Sequence, residues 1–304
     1  MRVVRRVNPA DFSGQPSVVT LGNFDGVHRG HQAIFQRVVE RARRSGGPAV
    51  AVTFFPHPAA VLGAPPPLLT NLHQRLGLLA AAGIDVVVLI HFTRQFARIE
   101  AAPFVVRFLV DGLRVAQLVV GHRVGFGHRR AGNAALLSTL SRAYGFELEV
   151  VDAVDVDGLA VSSSAIRETV RRGDVQAASR MLGRPYGISE RVRHGQRRGV
   201  GLGFPTANVS VRGLQLPPDG VYAVRVLAGG REHRGVANLG FNPTFGNEDR
   251  ALEAHLFDFQ GNLYRQRIEI RFVARLRGER KFENADALAN QIRQDVATAR
   301  RVLS

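Results

Sequence analysis

Five short, nearly continuous runs of apolar residues, separated by helical stretches, constrain the fold of the first half of the chain. The runs are Ser17–Leu21, Ala49–Phe54, Asp85–Ile90, Ala116–Val120 and Glu147–Val151. Strands that are buried on both faces of a parallel sheet have this composition, because helices cover both sides. A helix predicted over Gln32–Arg44 lies between the first two runs. The alternation predicts a Rossmann-like, doubly wound α/β domain.

The pattern changes near residue 185 into short alternating runs that are separated by turns. The runs are Ile188–Val192, Gly220–Leu227, Arg234–Leu239, Glu253–Phe259 and Arg267–Leu276. This spacing predicts a small antiparallel β-barrel or sandwich. An amphipathic helix, with Asn284 as its N-cap, is expected to end the chain. We therefore predict two domains, residues 1–185 and residues 186–304.

The amino-acid composition excludes several kinds of site and partner. The chain has no cysteine, which excludes disulfides, Cys-ligated zinc, iron–sulfur clusters and thiol catalysis. No apolar run reaches the length of a membrane span, and no signal peptide is evident at the start, so we expect a soluble cytoplasmic protein without a membrane partner. The net charge of +16 favours anionic partners. Because this charge is spread along the chain and comes almost wholly from arginine, no specific nucleic acid is expected.

The strongest local motif follows the first predicted strand and reads GNFDGVHRGH, residues 22–31. A helix that begins here offers free backbone N–H groups to a phosphate, and glycines let a ligand approach the backbone. His28 and His31 are three apart and can face one site from the first helical turn. We interpret the segment as a phosphate clamp for a transferring nucleotidyl group. A glycine-rich connector with two exposed histidines is the alternative.

Two further segments carry hydroxyl, amide and charged side chains. In VSSSAIR, residues 161–167, Ser164 is a predicted N-cap, and Ser162, Ser163 and Arg167 are candidates for holding phosphate oxygens. In the second half, Thr206 and Asn208 have oxygens suited to Mg²⁺ and phosphate. Glu253, expected at the start of a strand, is a candidate general base. The alternatives are an ordinary helix cap, a turn into a strand, and a solvated strand-edge carboxylate.

Taken together, these segments resemble the HxGH nucleotidyltransferase superfamily, in the form of the bacterial bifunctional FAD synthetases. GNFDGVHRGH resembles the ATP-binding signature of that family, and GHRVGFGHRRAGN, residues 121–133, resembles its GxDFxFGxxxxGN loop. VSSSAIR resembles its ISSSxIR segment. GFPTANV, residues 203–209, and EAHLFDF, residues 253–259, resemble the riboflavin kinase module. The matches occur in the family's order and extend over nearly the whole chain.

The resemblance implies two ATP-dependent steps with no covalent enzyme intermediate. Riboflavin would be phosphorylated to FMN, with Glu253 taking the proton and Mg²⁺ held near Thr206 and Asn208; FMN would then be adenylylated to FAD with release of pyrophosphate. His28, His31 and Arg167 would stabilise the second transfer. The implied binding residues form three groups. They are Gly22, Asn23, Phe24, Asp25, Gly26, Gly30, Ser162, Ser163 and Ser164 for ATP; Arg123, Phe126, Gly127 and Asn133 for the flavin or nucleotide loop; and Gly195, Gly203, Phe204, Pro205, Thr206 and Asn208 for the kinase.

The sequence departs from the family pattern at four positions. Arg123 stands where Asp or Asn is usual, Phe55 replaces an acid, Val200 replaces Arg, and Arg265 replaces the Gly that follows Tyr264. Two alternative functions therefore stay open. One is enzymatic, either a riboflavin kinase with impaired adenylyl transfer or, as a separate possibility, a single-activity nucleotidyltransferase with a β-barrel appendage; the other is a flavin- or RNA-binding regulator that has lost catalysis. The oligomeric state cannot be inferred from the sequence.

Overall fold

The computed structural model describes residues 1–12, 14–63, 65–193, 203–241 and 250–304. The chain divides into two compact units, one formed by Met1–Pro66 with Leu72–Ser163 and the other by Pro67–Asn71 with Ser164–Ser304. Among the described residues, no helix has the length and apolar character that crossing a membrane requires.

Within the described residues of the first unit, six strands form one parallel sheet. They are β1 (Arg2–Val4), β2 (Ser17–Leu21), β3 (Ala49–Phe55), β4 (Val86–His91), β5 (Val115–Gly121) and β6 (Glu147–Val151). Their order in the sheet is β1-β4-β3-β2-β5-β6, and every pair is parallel. The sheet confirms the predicted doubly wound fold and adds the short edge strand β1.

Helices cover both faces of this sheet. Consecutive strand residues point to opposite faces, so Val19 belongs to one hydrophobic core and Val18 to the other. In chain order, the helices between the strands of the sheet and after its last strand are α1 (Arg29–Ser45), α2 (Pro58–Leu62), α3 (Leu72–Ala81), α4 (Ala101–Phe104) with a π-helix at Val105–Val110, α5 (Ala134–Tyr144), α6 (Ser163–Arg171) and α7 (Val175–Leu182). Three short 3₁₀ turns lie at Pro9–Phe12, Phe96–Arg98 and His128–Arg130, and β7 (Asp155–Val156) pairs with β8 (Leu159–Ala160).

The second unit confirms the barrel prediction. In the part of this unit that the structure describes, six antiparallel strands close in the order β10-β13-β12-β11-β14-β9. The strands are β9 (Gly187–Arg193), β10 (Ala207–Ser210), β11 (Gly220–Ala228), β12 (Arg231–Phe241), β13 (Arg250–Leu256) and β14 (Arg267–Arg277). The aromatic rings of Tyr186, Tyr222 and Phe272 pack together and are almost fully buried.

A C-terminal helix, α8 (Ala285–Val302), packs on the barrel. Asn284 is its N-cap, as predicted, and its side-chain oxygen accepts a hydrogen bond from the Ala287 amide at 2.8 Å. Val296 and Leu303, two of the residues on its apolar stripe, pack against the barrel core. The stripe therefore has the role that its helical spacing predicts.

Candidate active sites

Two of the predicted ligand-binding loops leave the sheet from adjacent strands. The GNFDGVHRGH segment follows β2, and the loop at residues 122–133 follows β5, which is the neighbour of β2. The chain builds the sheet outward from this point in both directions. Such a switch point leaves a crevice at the carboxyl ends of the strands, where open α/β sheets bind ligands.

His28 and His31 lie together at the N-terminus of α1. Helix α1 begins at Arg29, three residues before the predicted Gln32, because His28 caps it: Nδ1 of His28 accepts a hydrogen bond from the His31 amide at 3.3 Å. An accepting Nδ1 carries no proton, so neutral His28 holds its proton on Nε2. The two rings stack, with centroids 3.6 Å apart and an angle of 18° between their planes. The prediction that both histidines face one place from the first helical turn is confirmed.

The loop between β2 and α1 is packed into the unit. Phe24 and Val27 both have left-handed backbone conformations, with φ of 51° and 43°, and each is 2% exposed. The Phe24 ring lies edge-on against His31 at 5.3 Å and against Phe35 at 4.9 Å. A Cβ at Gly22 would lie 2.8 Å from the Phe24 ring, which explains the glycine. The packing of the Phe24 ring therefore supports the loop.

Buried polar groups also hold this loop. The guanidinium of Arg75, on α3, donates to the Asn23 carbonyl at 2.6 Å and to the Phe54 carbonyl at 3.1 Å. The Asn23 carbonyl also accepts a hydrogen bond from Thr53 Oγ1 at 3.3 Å. Burial lowers the pKa of Arg75, and the negative charge of Asp25 opposes this effect. Sequence reasoning missed Arg75, because a lone arginine on a helix is usually on the solvent side.

The VSSSAIR segment lies partly beside the same loop. The Ser163 hydroxyl donates to the Asp25 carbonyl at 2.9 Å, within the first unit. The prediction that Ser164 is the N-cap is wrong. Helix α6 begins at Ser163, so Ser162 occupies the position before the helix and Ser164 is an exposed residue of the first turn. Arg167, in the second unit, donates from Nε to the Pro67 carbonyl at 2.8 Å.

The loop after β5 shows structural roles for three of its four predicted ligand residues. Phe126 is buried, and Asn133 caps α5 by accepting a hydrogen bond from the Leu136 amide at 3.0 Å. Gly127 has a φ of 72°, and a Cβ there would lie 2.6 Å from the Ala101 backbone. Arg123 is exposed at the end of β5. A role for Arg123 toward a ligand stays a prediction.

The candidate kinase residues Asn208 and Glu253 lie opposite each other on two adjacent antiparallel strands. Asn208 on β10 is the direct partner of Glu253 on β13. The prediction that Glu253 begins a strand is wrong: β13 starts at Arg250 and ends at Leu256, because Asp258 turns the chain with a φ of 55°. Glu253 is therefore a half-buried residue in the middle of a strand, held by pairing on both sides.

The oxygens around Asn208 fit a magnesium ion. Asn208 is 6% exposed, and its side-chain oxygen is buried without a hydrogen-bond partner among the described residues. The Asn208 amide nitrogen lies 3.4 Å from Thr206 Oγ1, so the two side chains adjoin. Hydroxyl and amide oxygens are hard ligands of the kind that Mg²⁺ prefers, usually together with waters and nucleotide phosphates.

A cavity of about 310 Å³ lies beside Thr206. Its lining residues come from β9, from the segment that leads into β10, and from the end of β13 with the turn after it: Val192, Pro205, Thr206, Ala207, Leu256, Phe259, Gly261, Asn262, Leu263 and Tyr264. Asn262 and Tyr264 reach the cavity wall from the turn that follows β13, a contribution that sequence reasoning missed. Gly203 and Phe204 lie in the described segment that leads to Thr206, whereas Gly195 and Val200 lie outside the described residues.

Comparisons with known proteins match both halves of the chain. A family model described as FAD synthetase matches residues 12–165, and one described as riboflavin kinase matches residues 182–303. The bifunctional riboflavin kinase/FMN adenylyltransferase of Pseudomonas fluorescens is 40% identical over 302 residues, which cover 99% of this chain and 97% of that protein. The protein of the same name from Haemophilus influenzae is 38% identical, with 99% and 98% covered. A solved structure, of a macrolide-efflux protein from Streptococcus pneumoniae, has a TM-score of 0.85 at 30% identity and 99% coverage of both chains.

Proposed function

The chain belongs to the family of bifunctional riboflavin kinase/FMN adenylyltransferases, and on this premise we propose which of its residues perform each of the two reactions. The enzyme transfers the γ-phosphoryl group of ATP to riboflavin and then joins FMN to the AMP portion of a second ATP, forming FAD and pyrophosphate. We assign the first reaction to the site around Asn208 and Glu253, and the second to the loop between β2 and α1.

In the kinase site, Glu253 accepts the proton of the riboflavin 5′-hydroxyl as that oxygen attacks the γ-phosphorus of ATP, whose bond to the bridging oxygen breaks so that ADP leaves. The observation that carries this assignment is the pairing of Glu253 with Asn208, whose buried side-chain oxygen has no hydrogen-bond partner among the described residues. A Mg²⁺ ion bound by Thr206 and Asn208 would neutralise charge on the transferring phosphoryl group. The cavity beside Thr206 is the proposed place of a substrate.

In the adenylyltransferase site, a phosphate oxygen of FMN attacks the α-phosphorus of ATP and pyrophosphate leaves. His28 and His31 stand at a helix N-terminus, where the backbone N–H groups and the helix dipole favour anions. Their stacked imidazoles are proposed to stabilise the charge that develops on the phosphate. Ser162 and Ser163, which belong to the same unit, are proposed for the same step from the family motif that they match, and the roles of Ser164 and Arg167 stay predictions.

The test separates the two reactions in one protein. Purified enzyme is given riboflavin, ATP and Mg²⁺, and the flavins are separated by chromatography; we expect FMN and then FAD. His28→Ala should abolish FAD formation and leave FMN formation intact. Glu253→Ala should abolish FMN formation but still make FAD when FMN is supplied. FMN without FAD from the wild-type enzyme would contradict the adenylyltransferase assignment and direct attention to Arg123.

We propose that the net positive charge attracts these small anionic substrates. A cytoplasmic location and the lack of a specific nucleic-acid partner stay predictions. A salt titration of binding to random RNA tests the second of these. A steep loss of affinity with salt would indicate many phosphate contacts and contradict it.

A further inference from the structure

His255 connects the strand of Glu253 to the segment that carries Thr206. It follows Glu253 by two residues on β13, so both side chains are on the same face of the strand. Its Nδ1 lies 2.9 Å from the carbonyl oxygen of Pro205, and its ring packs edge-on against Phe204 with centroids 5.4 Å apart. A carbonyl oxygen only accepts hydrogen bonds, so Nδ1 of His255 carries the proton and donates it.

This contact stands where the strand pairing stops. The β10–β13 ladder runs from Ser210 opposite Ala251 to Ala207 opposite Ala254. One step further along the same register, Thr206 would lie opposite His255, but β10 begins at Ala207, and Pro205 has no N–H group to donate. The His255 side chain therefore holds the backbone immediately before Thr206 in place of a ladder hydrogen bond.

We propose that His255 is a positioning residue for the phosphoryl transfer. By fixing the Pro205 carbonyl, it holds Thr206 beside Asn208, where the two oxygens can bind Mg²⁺ and the nucleotide phosphates together. The inference rests on the kinase assignment proposed above. His255 itself does not touch the reacting atoms, and it acts through Pro205 on the placement of Thr206.

The experiment tests whether the hydrogen bond to Pro205 requires a donor at the position of Nδ1 of His255. In His255→Asn the amide nitrogen can take the place of Nδ1, whereas His255→Gln places its amide nearer to Nε2 and His255→Leu has no donor. Binding of ADP is measured by calorimetry at several Mg²⁺ concentrations, alongside kcat and KM for FMN formation. Loss of the donor is expected to weaken Mg²⁺-dependent ADP binding about tenfold, the equivalent of one hydrogen bond. His255→Asn should stay within about threefold of wild type, since the donor is retained.

Two results would overturn the proposal. One is a His255→Leu enzyme that binds ADP and forms FMN like the wild type. The other is weakened binding that is equal in the Asn and Leu variants, since packing of the ring against Phe204 would then be the cause. Tyrosine fluorescence during urea unfolding, to which three of the four tyrosines contribute from the second unit, checks that the barrel of each variant is folded. If wild type forms FMN and Glu253→Ala does not, the kinase assignment holds whatever the His255 variants show.

Discussion

Arg265 shows how a single residue can keep a backbone shape that its side chain disfavours. It occupies a position where the family pattern has glycine, and its φ is 63°, in the left-handed region. The conformation is fixed by neighbouring strands: its amide donates to the Val192 carbonyl at 3.0 Å, and its own carbonyl accepts from Arg191 at 2.9 Å. Arg265 therefore adopts a backbone conformation that suits the glycine of the family pattern.

Replacing Arg265 by glycine should relieve this conformational cost. Arg265→Ala is the matched control, because it removes the same side chain but keeps a Cβ in the left-handed region. We expect Arg265→Gly to exceed Arg265→Ala in free energy of unfolding by about 0.5–1 kcal/mol, after the entropy of glycine in the unfolded chain is counted. Urea unfolding measures the difference. Equal stability of the two variants would show that the turn is not strained.

Arg75 is the residue whose importance is hardest to see in the sequence and clearest in the structure. Arg75→Met would leave the carbonyls of Asn23 and Phe54 without this donor and Asp25 without a nearby buried positive charge. We expect a loss of about 2–5 kcal/mol of stability in the first unit and a fall in FAD formation from supplied FMN.

The control for Arg75 is Arg44→Met, the same change at an exposed position of α1. It should alter stability by at most about 0.5 kcal/mol. FMN formation, which is assigned to the other unit, should be unchanged in both variants. Equal loss of FMN and FAD formation in Arg75→Met would contradict a role confined to the loop after β2.

Residue types and spacing predicted correctly those positions whose conformation depends on neighbours along the chain. His28 with His31 and Asn284 are examples, because a helix start needs a side-chain acceptor or a polar face within one turn. The pairing of Asn208 with Glu253 could not be predicted from the sequence, because it depends on which strands of the barrel are neighbours. The same is true of His255, whose partner Pro205 is distant along the chain and close only after the barrel closes.

At the scale of elements, burial determined which strands could be recognised. β2 is buried along its whole length and its bounds match the prediction, whereas β1 is a three-residue edge strand with two exposed residues. Short edge strands have no continuous apolar run, so periodicity does not detect them. The predicted start of β13 at Glu253 was also wrong: the strand begins at Arg250, and the buried Ala251 and Leu252 belong to it.

Two ion pairs join α8 to the barrel, and their burial predicts different contributions. Asp295 on α8 accepts hydrogen bonds from Arg277 at 2.7, 3.0 and 3.1 Å, and its side chain is 7% exposed. Asp258, after β13, pairs with Arg300 of α8 at 2.8 and 3.0 Å, but its side chain is 72% exposed. Geometry is similar in the two pairs, so exposure is the main difference.

Asp295→Ala should therefore destabilise the second unit far more than Asp258→Ala. Removing one partner of a buried pair costs about 3–5 kcal/mol, whereas an exposed pair is screened by solvent and its removal costs far less. The chain has no tryptophan, and three of its four tyrosines (Tyr186, Tyr222 and Tyr264) lie in the second unit. Tyrosine fluorescence during urea unfolding is thus a suitable measurement. Equal losses in the two variants would contradict the dependence on burial.

The barrel as a whole should lose stability in alkaline solution through Tyr222. Burial raises the pKa of Tyr222 to about 12, and its hydroxyl donates to the Pro218 carbonyl. A pKa above the value of about 10 in the unfolded chain means that the neutral phenol stabilises the fold below pH 10. This contribution is lost as the pH rises from about 10 to about 12.

The matched comparison is wild type against Tyr222→Phe. At pH 8 the variant lacks the hydrogen bond to Pro218 and should be less stable by about 1 kcal/mol. Above pH 10 the difference should shrink, because only the wild type has to ionise a phenol at this position. A stability difference that is constant from pH 8 to pH 11.5 would show that Tyr222 does not titrate as its environment requires.

At the scale of the whole molecule, His28 and His31 lie in one unit and Asn208 and Glu253 in the other, and the +16 charge is divided between the two halves of the chain. If FMN leaves the kinase site before it is adenylylated, the two activities need not be on the same molecule. An equimolar mixture of His28→Ala and Glu253→Ala should then make FAD from riboflavin, after a lag while free FMN accumulates. The lag should vanish when FMN is added at the start, and each variant alone should make no FAD from riboflavin. A mixture that forms FMN but no FAD, although Glu253→Ala adenylylates added FMN, would show that FMN has to pass between sites of one molecule.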